Sequence, residues 1–290
     1  MRFNDIKQIL KDKKFYPKKS FGQNFLIDGN IKEKIINSIN IKEKSTILEI
    51  GSGFAAMSFL LSEQCKTLIA IEKDKRIFDI MLPFFEKVKN IKFFCEDFLN
   101  IDFKTITNNS KNLVVYGNIP YCISTPILVK LVENRGFLDR IYLVMQDDFV
   151  NRIISMPGSK IYGSISCFIQ YYFDVKKLFK INKNCFSPAP KVESSFVEMQ
   201  LIKKSKIKVK DETIMFKIIR KAFSQRRKKL INSLSCNCIF SIEKNQWCNI
   251  LDKCNIDCFI RAEQLDLIDY AKISDVVFNE FLINKNKNIK

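Results

Sequence analysis

The chain has 290 residues, enough for one large core and a smaller one, and carries 49 Lys and Arg against 31 Asp and Glu. The formal charge of +18 suits a polyanionic partner, although a Lys-rich balance with abundant Ile, Asn and Phe is also what an AT-rich genome yields. There is no histidine, which excludes Ser-His and Cys-His catalysis and any histidine-ligated metal.

Residues 1–19 are basic but have no apolar centre, so a secretory leader or organelle transit peptide is not expected. No apolar run is long enough to cross a bilayer. A cytoplasmic protein with reduced thiols is the expectation.

Thr46-Ile47-Leu48-Glu49-Ile50 predicts a short buried strand. Gly51-Ser52-Gly53 follows as a sharp turn, and Ala55 to Leu61 as a helix. A second apolar strand, Thr67 to Ile71, ends at Glu72, twenty-one residues beyond Gly51, where an acid suits a ribose diol. A third, Ile91 to Cys95, ends at Glu96-Asp97, and an acid there can accept from the amino group of a cofactor adenine. The fourth, Leu113 to Tyr116, leads into Asn118-Ile119-Pro120-Tyr121. Strands alternating with helices predict an α/β, doubly wound sheet with its ligand at the carboxyl ends of the strands.

The tetrapeptide carries the chemistry. An aromatic amine is a poor nucleophile because its lone pair is delocalised into the ring, so an enzyme must hold its N–H donors while the nitrogen rehybridises. The Asn118 side-chain oxygen is one acceptor, a backbone carbonyl aimed by the fixed φ of Pro120 is the other, and Tyr121 offers a ring face to a base. A strand ending in a turn would also use Asn, Pro and Tyr. Gly51-Ser52-Gly53-Phe54-Ala55-Ala56 fits the looser dinucleotide pattern as well, so a nicotinamide-dependent oxidoreductase is a rival reading. Asp97 together with the tetrapeptide favours a methyl donor.

Further along, Phe196 to Met199 reads as a late strand and residues 203–208 as a basic connector. Helical periodicity runs from Thr213 through Leu234 and again from Leu265 to Leu282, and the tail from Asn284 to Lys290 is expected to be disordered. The division expected is 1–202, a linker 203–212, and a helical domain 213–290. Arg220, Lys221, Arg226, Arg227, Lys228 and Lys229 cluster there, while Phe216, Ile219, Phe223, Leu230 and Leu234 mark one buried face, so the basic remainder is the candidate nucleic-acid surface. Of the ten cysteines, Cys65, Cys95, Cys122, Cys167 and Cys185 are scattered and read as small buried hydrophobes. Cys236, Cys238, Cys248, Cys254 and Cys258 lie closer together without a C-x-x-C pair, and no metal site is expected.

Six segments in order carry a family resemblance over nearly the whole chain. They are Lys18 to Leu26, Leu48 to Gly53, Asn118 to Tyr121 with Ser124 to Ile127, Pro157 to Lys160 with Tyr162-Gly163, Phe186 to Val192, and Phe223 to Lys228. The sequence resembles the ribosomal RNA adenine dimethyltransferases, and within them the bacterial small-subunit branch, the KsgA family. The resemblance implies a Rossmann-like methyltransferase domain, 1–202, with a small helical RNA-binding domain. It implies that S-adenosylmethionine is bound by Asn24, Leu26, Gly51, Gly53, Glu72, Asp97 and Asn118. It places Asn118, Ile119, Pro120, Tyr121 and a second aromatic, Phe186, at the target base.

The implied reaction is N6,N6-dimethylation of two adjacent adenines in the 3′-terminal hairpin loop of small-subunit rRNA, within an immature 30S subunit. The implied protein is a monomer that binds neither metal nor membrane. A large-subunit methyltransferase of the antibiotic-resistance type and a non-catalytic assembly factor remain the alternatives. Departures from the family pattern include Ala55 where glycine is usual, Ser52 where proline is common, Cys122 after the tetrapeptide, and Asp147-Asp148 after Gln146. At Ala55 a methyl group crowds the cofactor if φ is positive and costs little if the helix has begun, and weaker cofactor affinity is expected.

Overall fold

The computed structural model describes residues 15–17, 22–202, 207–236 and 239–283. The expectations for the leader, for residues 18–21 of the first motif, for residues 203–206 of the connector, for Cys238 and for the tail 284–290 lie outside the described residues. Two compact units result, residues 1–150 with 174–201, and residues 151–173 with 202–290.

The first unit is built on a seven-stranded sheet. In chain order its strands are β2 (Thr46–Ile50), β3 (Thr67–Glu72), β4 (Ile91–Cys95), β5 (Leu113–Asn118), β6 (Leu138–Gln146), β7 (Phe173–Ile181) and β9 (Ser194–Leu201). A separate antiparallel pair joins β1 (Phe25–Leu26) to β8 (Phe186–Ser187). The sheet order is β4-β3-β2-β5-β6-β9-β7, parallel from β4 to β6, with β9 antiparallel to β6. The predicted strands are therefore present, and Phe196 to Met199 lies inside β9. Parallel strands are covered on both faces, and the continuous apolar runs of β2 and β3 match that demand.

From β2 the chain winds outward through β3 and β4, then returns to the other side of β2 as β5. The crossovers diverge there, leaving a crevice at the carboxyl ends of β2 and β5. One face of the sheet packs Ile47, Leu68, Val114 and Tyr142 against Ile35, Ile36 and Ile39 from α1 (Gly29–Ser38) and its end. The helix predicted from Ala55 begins only at Ser58 (α2, Ser58–Ser62). Beyond β3, α3 (Lys75–Phe85) starts where the Asp74 carboxylate accepts from the Arg76 N–H, and its stripe Ile77, Met81, Phe85 is buried.

The second unit has a core of its own around Trp247, Tyr270, Met215 and Ile218. Tyr162, Cys167 and Tyr171 belong to that core. This is why residues 151–173, which carry the helix Ser164–Tyr172, group with the C-terminal helices instead of falling inside 1–202 as expected.

The helix predicted across 213–234 is broken. It runs Glu212–Ala222, then a single tight turn at Phe223–Gln225, and resumes as Leu230–Ser235. Between Phe223 and Leu230 no side chain is apolar and four successive cations repel one another, so nothing buries a helical face there. The second predicted stretch starts later, at Leu267–Val277, and continues as a π-helical turn, Phe278–Ile283. A helix at Lys244–Lys253, which supplies Trp247, has no counterpart in the sequence reading.

Candidate active site

The first unit holds a cavity of about 190 Å³ at the carboxyl ends of the parallel strands. Each of the first four predicted strands delivers to it the polar residue or glycine that ends it: Gly51 after β2, Glu72 on β3, Asp97 after β4 and Asn118 on β5. Asn24 and Leu26 line it too, as do Gly53, Ile119, Pro120 and Tyr121.

The turn after β2 is pinned by Gly51 and Ser52 N–H groups donating to the Ile71 carbonyl at 2.9 and 3.0 Å. Gly51 has φ +70°, and a Cβ on it would meet nothing within 4 Å, so this backbone borders open space where a ligand can approach closely. Glu72 holds the same turn: one carboxylate oxygen accepts from Gly53 N–H and the other from Asp74 N–H, both at 2.8 Å. Burial raises its carboxyl above the usual range, and those N–H groups partly offset it.

Asp97 is held differently. One oxygen accepts from Lys73 Nζ at 2.6 Å and the other from Leu99 N–H at 3.0 Å. Partial burial pushes its carboxyl upward, but the Lys73 ammonium and the Leu99 N–H outweigh that and keep it low. It is thus an ionised acceptor.

On β5, Asn118 Nδ2 donates to the Asn24 carbonyl at 2.9 Å. That bond fixes which way the amide faces and leaves Oδ1 as an acceptor. Gly22, with φ +60°, packs on Pro120, since a Cβ there would lie 3.2 Å from Pro120 Cβ. The Pro120 carbonyl accepts from Ile123 N–H at 3.2 Å, and the Tyr121 hydroxyl shares a 2.6 Å hydrogen bond with Ser194 Oγ.

Three expectations are corrected. Phe186 does not line the cavity: pairing of β8 with β1 seats it opposite Leu26 in the apolar core, 3% exposed. Ala55 has φ +57° and precedes the helix, yet its methyl packs with Phe15, Phe54 and Ile77 instead of lining the cavity. Cys122, read as a buried hydrophobe, is exposed, whereas Cys65 and Cys167 are buried.

The sequence reading assigns no role to Glu49, which lines the cavity floor at 2% exposure. Among the described residues its Oε2 has no hydrogen-bond partner, nor does the buried Tyr116 Oη, and Tyr116 pairs with it in the β2–β5 register. Burial pushes its carboxyl to about 7, Ser58 opposing and Glu72 adding to the rise. A lone carboxylate inside the apolar strand Thr46–Ile50 is the signal that marks it.

In the second unit, Arg220 and Lys221 line a surface groove with Lys217, Ser224 and Phe240. Arg227, Lys228 and Lys229 are exposed in the break between helices. Arg226 instead donates to the carbonyls of Lys160 and Tyr162, the latter at 3.1 Å. Among the described residues no group of three or more Cys, Asp or Glu side chains could hold a metal ion, and no helix is long and apolar enough to cross a membrane.

A sequence model described as "Ribosomal RNA adenine dimethylase" matches residues 14–272. The "Ribosomal RNA small subunit methyltransferase A" of Lachnoclostridium phytofermentans is 36% identical over 274 residues, covering 93% of this chain and 94% of that protein. Among solved structures, a dimethyladenosine transferase from Plasmodium falciparum superposes with a TM-score of 0.74 at 24% identity, over 91% of this chain and 98% of that one. The 23S rRNA methyltransferase ErmE gives a TM-score of 0.65 at 17% identity, over 87% and 99%. These two likenesses establish the Rossmann-like methyltransferase fold.

Proposed function

The chain belongs to the ribosomal RNA adenine dimethylase family, and from that premise we propose that it dimethylates N6 of two adjacent adenines in the 3′-terminal hairpin loop of small-subunit rRNA. The reading is that the RNA is met within an immature 30S subunit and that the protein acts as a cytoplasmic monomer. S-adenosylmethionine, when bound, supplies the activated methyl group. The cavity fits such a ligand: Gly51 borders open space, Glu72 keeps lone pairs for a diol, Asp97 is an ionised acceptor, and the orphaned Glu49 Oε2 suits a cationic group. Asn24, Leu26, Gly53 and Asn118 complete the binding surface.

The observation that carries the reading is the Asn118 amide, locked by Asn24 with Oδ1 left to accept from the target amine. The Pro120 carbonyl is committed to the following turn, so the second acceptor is assigned to Ile119 O. Holding both N–H groups lets the nitrogen lone pair leave conjugation and point at the methyl group. Tyr121, braced by Ser194, provides the stacking face. Once alkylated, the amine is a strong acid and sheds its proton without a dedicated base, in keeping with a chain that has no histidine. The second transfer repeats the first on the remaining N–H.

The test is transfer from labelled S-adenosylmethionine to purified small and large subunits lacking these modifications, followed by nucleoside mass spectrometry. Dimethyladenosine on the small subunit alone, lost in Asn118→Ala, is the expected result. Label on the large subunit would instead assign the resistance-type activity.

A further inference from the structure

Three loops of the second unit are stitched into one surface by backbone hydrogen bonds. Gly158 N–H donates to the Glu263 carbonyl at 2.6 Å, and Leu230 N–H to the Ile260 carbonyl at 2.7 Å. Ile231 N–H donates to the Cys258 carbonyl at 3.3 Å. Arg226 closes the set by donating to the carbonyls of Lys160 and Tyr162. Its charge is thereby committed to bracing a loop.

Three large apolar side chains stand out from this braced surface: Met156 at 71% exposure, Ile161 at 43% and Phe259 at 61%. They are half of the exposed large hydrophobics among the described residues. Exposed cations accompany them: Lys160 precedes Ile161, Lys228 and Lys229 follow Arg226, and Lys229 Nζ lies 4.3 Å from the centroid of the Phe259 ring. Exposed apolar side chains on loops held rigid from several sides are not explained by folding, since they bury little there.

Resting on the proposed function, we propose that this face binds a looped-out or single-stranded segment of the substrate rRNA, with an unpaired base stacked on Phe259. Met156 and Ile161 would contact neighbouring bases or ribose, and Lys160, Lys228 and Lys229 the flanking phosphates. A single strand suits such a surface because each nucleotide presents an apolar face and an anionic backbone within one residue's reach. A duplex hides its base faces and would leave Phe259 in water.

The experiment measures binding of the full chain to unmodified, transcribed small-subunit rRNA across a salt series, and to intact subunits lacking the modification. Phe259→Ala is expected to lower rRNA affinity about 5- to 150-fold at every salt concentration, the range for losing one aromatic stack. The lines should stay parallel to wild type, whereas Lys228→Gln with Lys229→Gln should make the slope shallower. Phe259→Tyr is expected to retain affinity. Phe259→Trp is expected to be quenched by rRNA; the chain's one other tryptophan, Trp247, is fully buried.

Wild-type rRNA affinity in Phe259→Ala and in Met156→Ala with Ile161→Ala, with small-subunit methylation intact, would overturn this inference and leave the proposed function standing. Loss of affinity for subunits but not for naked rRNA would reassign the face to a protein. Phe259-dependent binding to phosphatidylserine vesicles, with rRNA affinity untouched, would reassign it to a membrane surface. Absence of methylation on unmodified small subunits would remove the proposed function and this inference with it.

Discussion

The Asn118 side chain donates to the Asn24 carbonyl across 94 residues of sequence. The bond ties the end of β5 to the segment that enters β1, so the acceptor face of Asn118 is set by a residue from another motif. Asn118→Ala should reduce single-turnover methyl transfer by about 10²–10³-fold, comparable to losing one preorganised polar group at a reacting centre. Thermal stability should change little, because the side chain is only partly buried. Transfer within threefold of wild type would remove Asn118 from the site chemistry.

Glu49 predicts a pH dependence of stability in the cofactor-free protein. Its folded pKa, about 7, lies above that of an unfolded glutamate, so its contribution is complete below about pH 4.5 and is lost as pH rises to about 7. Glu49→Gln should remove that loss and be more stable than wild type at pH 8, by roughly 3 kcal/mol. Denaturant unfolding at pH 5 and pH 8 decides it: equal pH slopes in the two proteins would mean that Glu49 does not titrate there.

Asp147 has the opposite sign. Burial would raise its carboxyl, but hydrogen bonds from Lys177 and Ser195, with Lys180 nearby, hold it far below the usual carboxylate range. Its contribution is therefore full above about pH 4 and is lost as pH falls toward the folded value. Asp147→Asn should cost about 1.5–3 kcal/mol at pH 7, the scale of a charged hydrogen bond, and less in acid. A pH-independent difference between variant and wild type would contradict this account.

Ala55→Gly separates strain from crowding. Relief of the left-handed backbone is worth about 1–2 kcal/mol, offset by about 0.8 kcal/mol for the buried methyl and a further 0.4–1 kcal/mol of unfolded-chain entropy. Stability should thus stay within about 1 kcal/mol. Because the methyl does not line the cavity, S-adenosylmethionine Kd measured by calorimetry should be unchanged. Tightening beyond fivefold would restore the crowding explanation.

The groove of Arg220 and Lys221 should act through charge alone. Arg220→Gln with Lys221→Gln should make the salt slope of rRNA binding shallower by about 0.7–0.9 for each phosphate that is no longer neutralised. Arg226→Gln should instead lower the protease resistance of the loop from Met156 to Ile161, beside the carbonyls that Arg226 holds. Unchanged slopes in the double variant would move the phosphates off this groove.

The sequence by itself determined the first four strands and where they end, whereas β6 and β7 have no counterpart in it. Apolar runs broken by glycine or an acid are local features, and Glu72, Asp97 and Asn118 stand where their strands stop, so a parallel sheet necessarily gathers them at one edge. Only the tertiary structure decided which side chains face the cavity. Phe186 and Ala55 sit in site motifs, yet strand pairing and a late helix start turn both into core, while Glu49, inside a strand that reads as pure core, faces the ligand space. The basic segment divides for the same reason. Charge is legible along the chain, but whether a guanidinium meets a phosphate or a carbonyl depends on which loop folds against it, and Arg226 found the carbonyls of Lys160 and Tyr162.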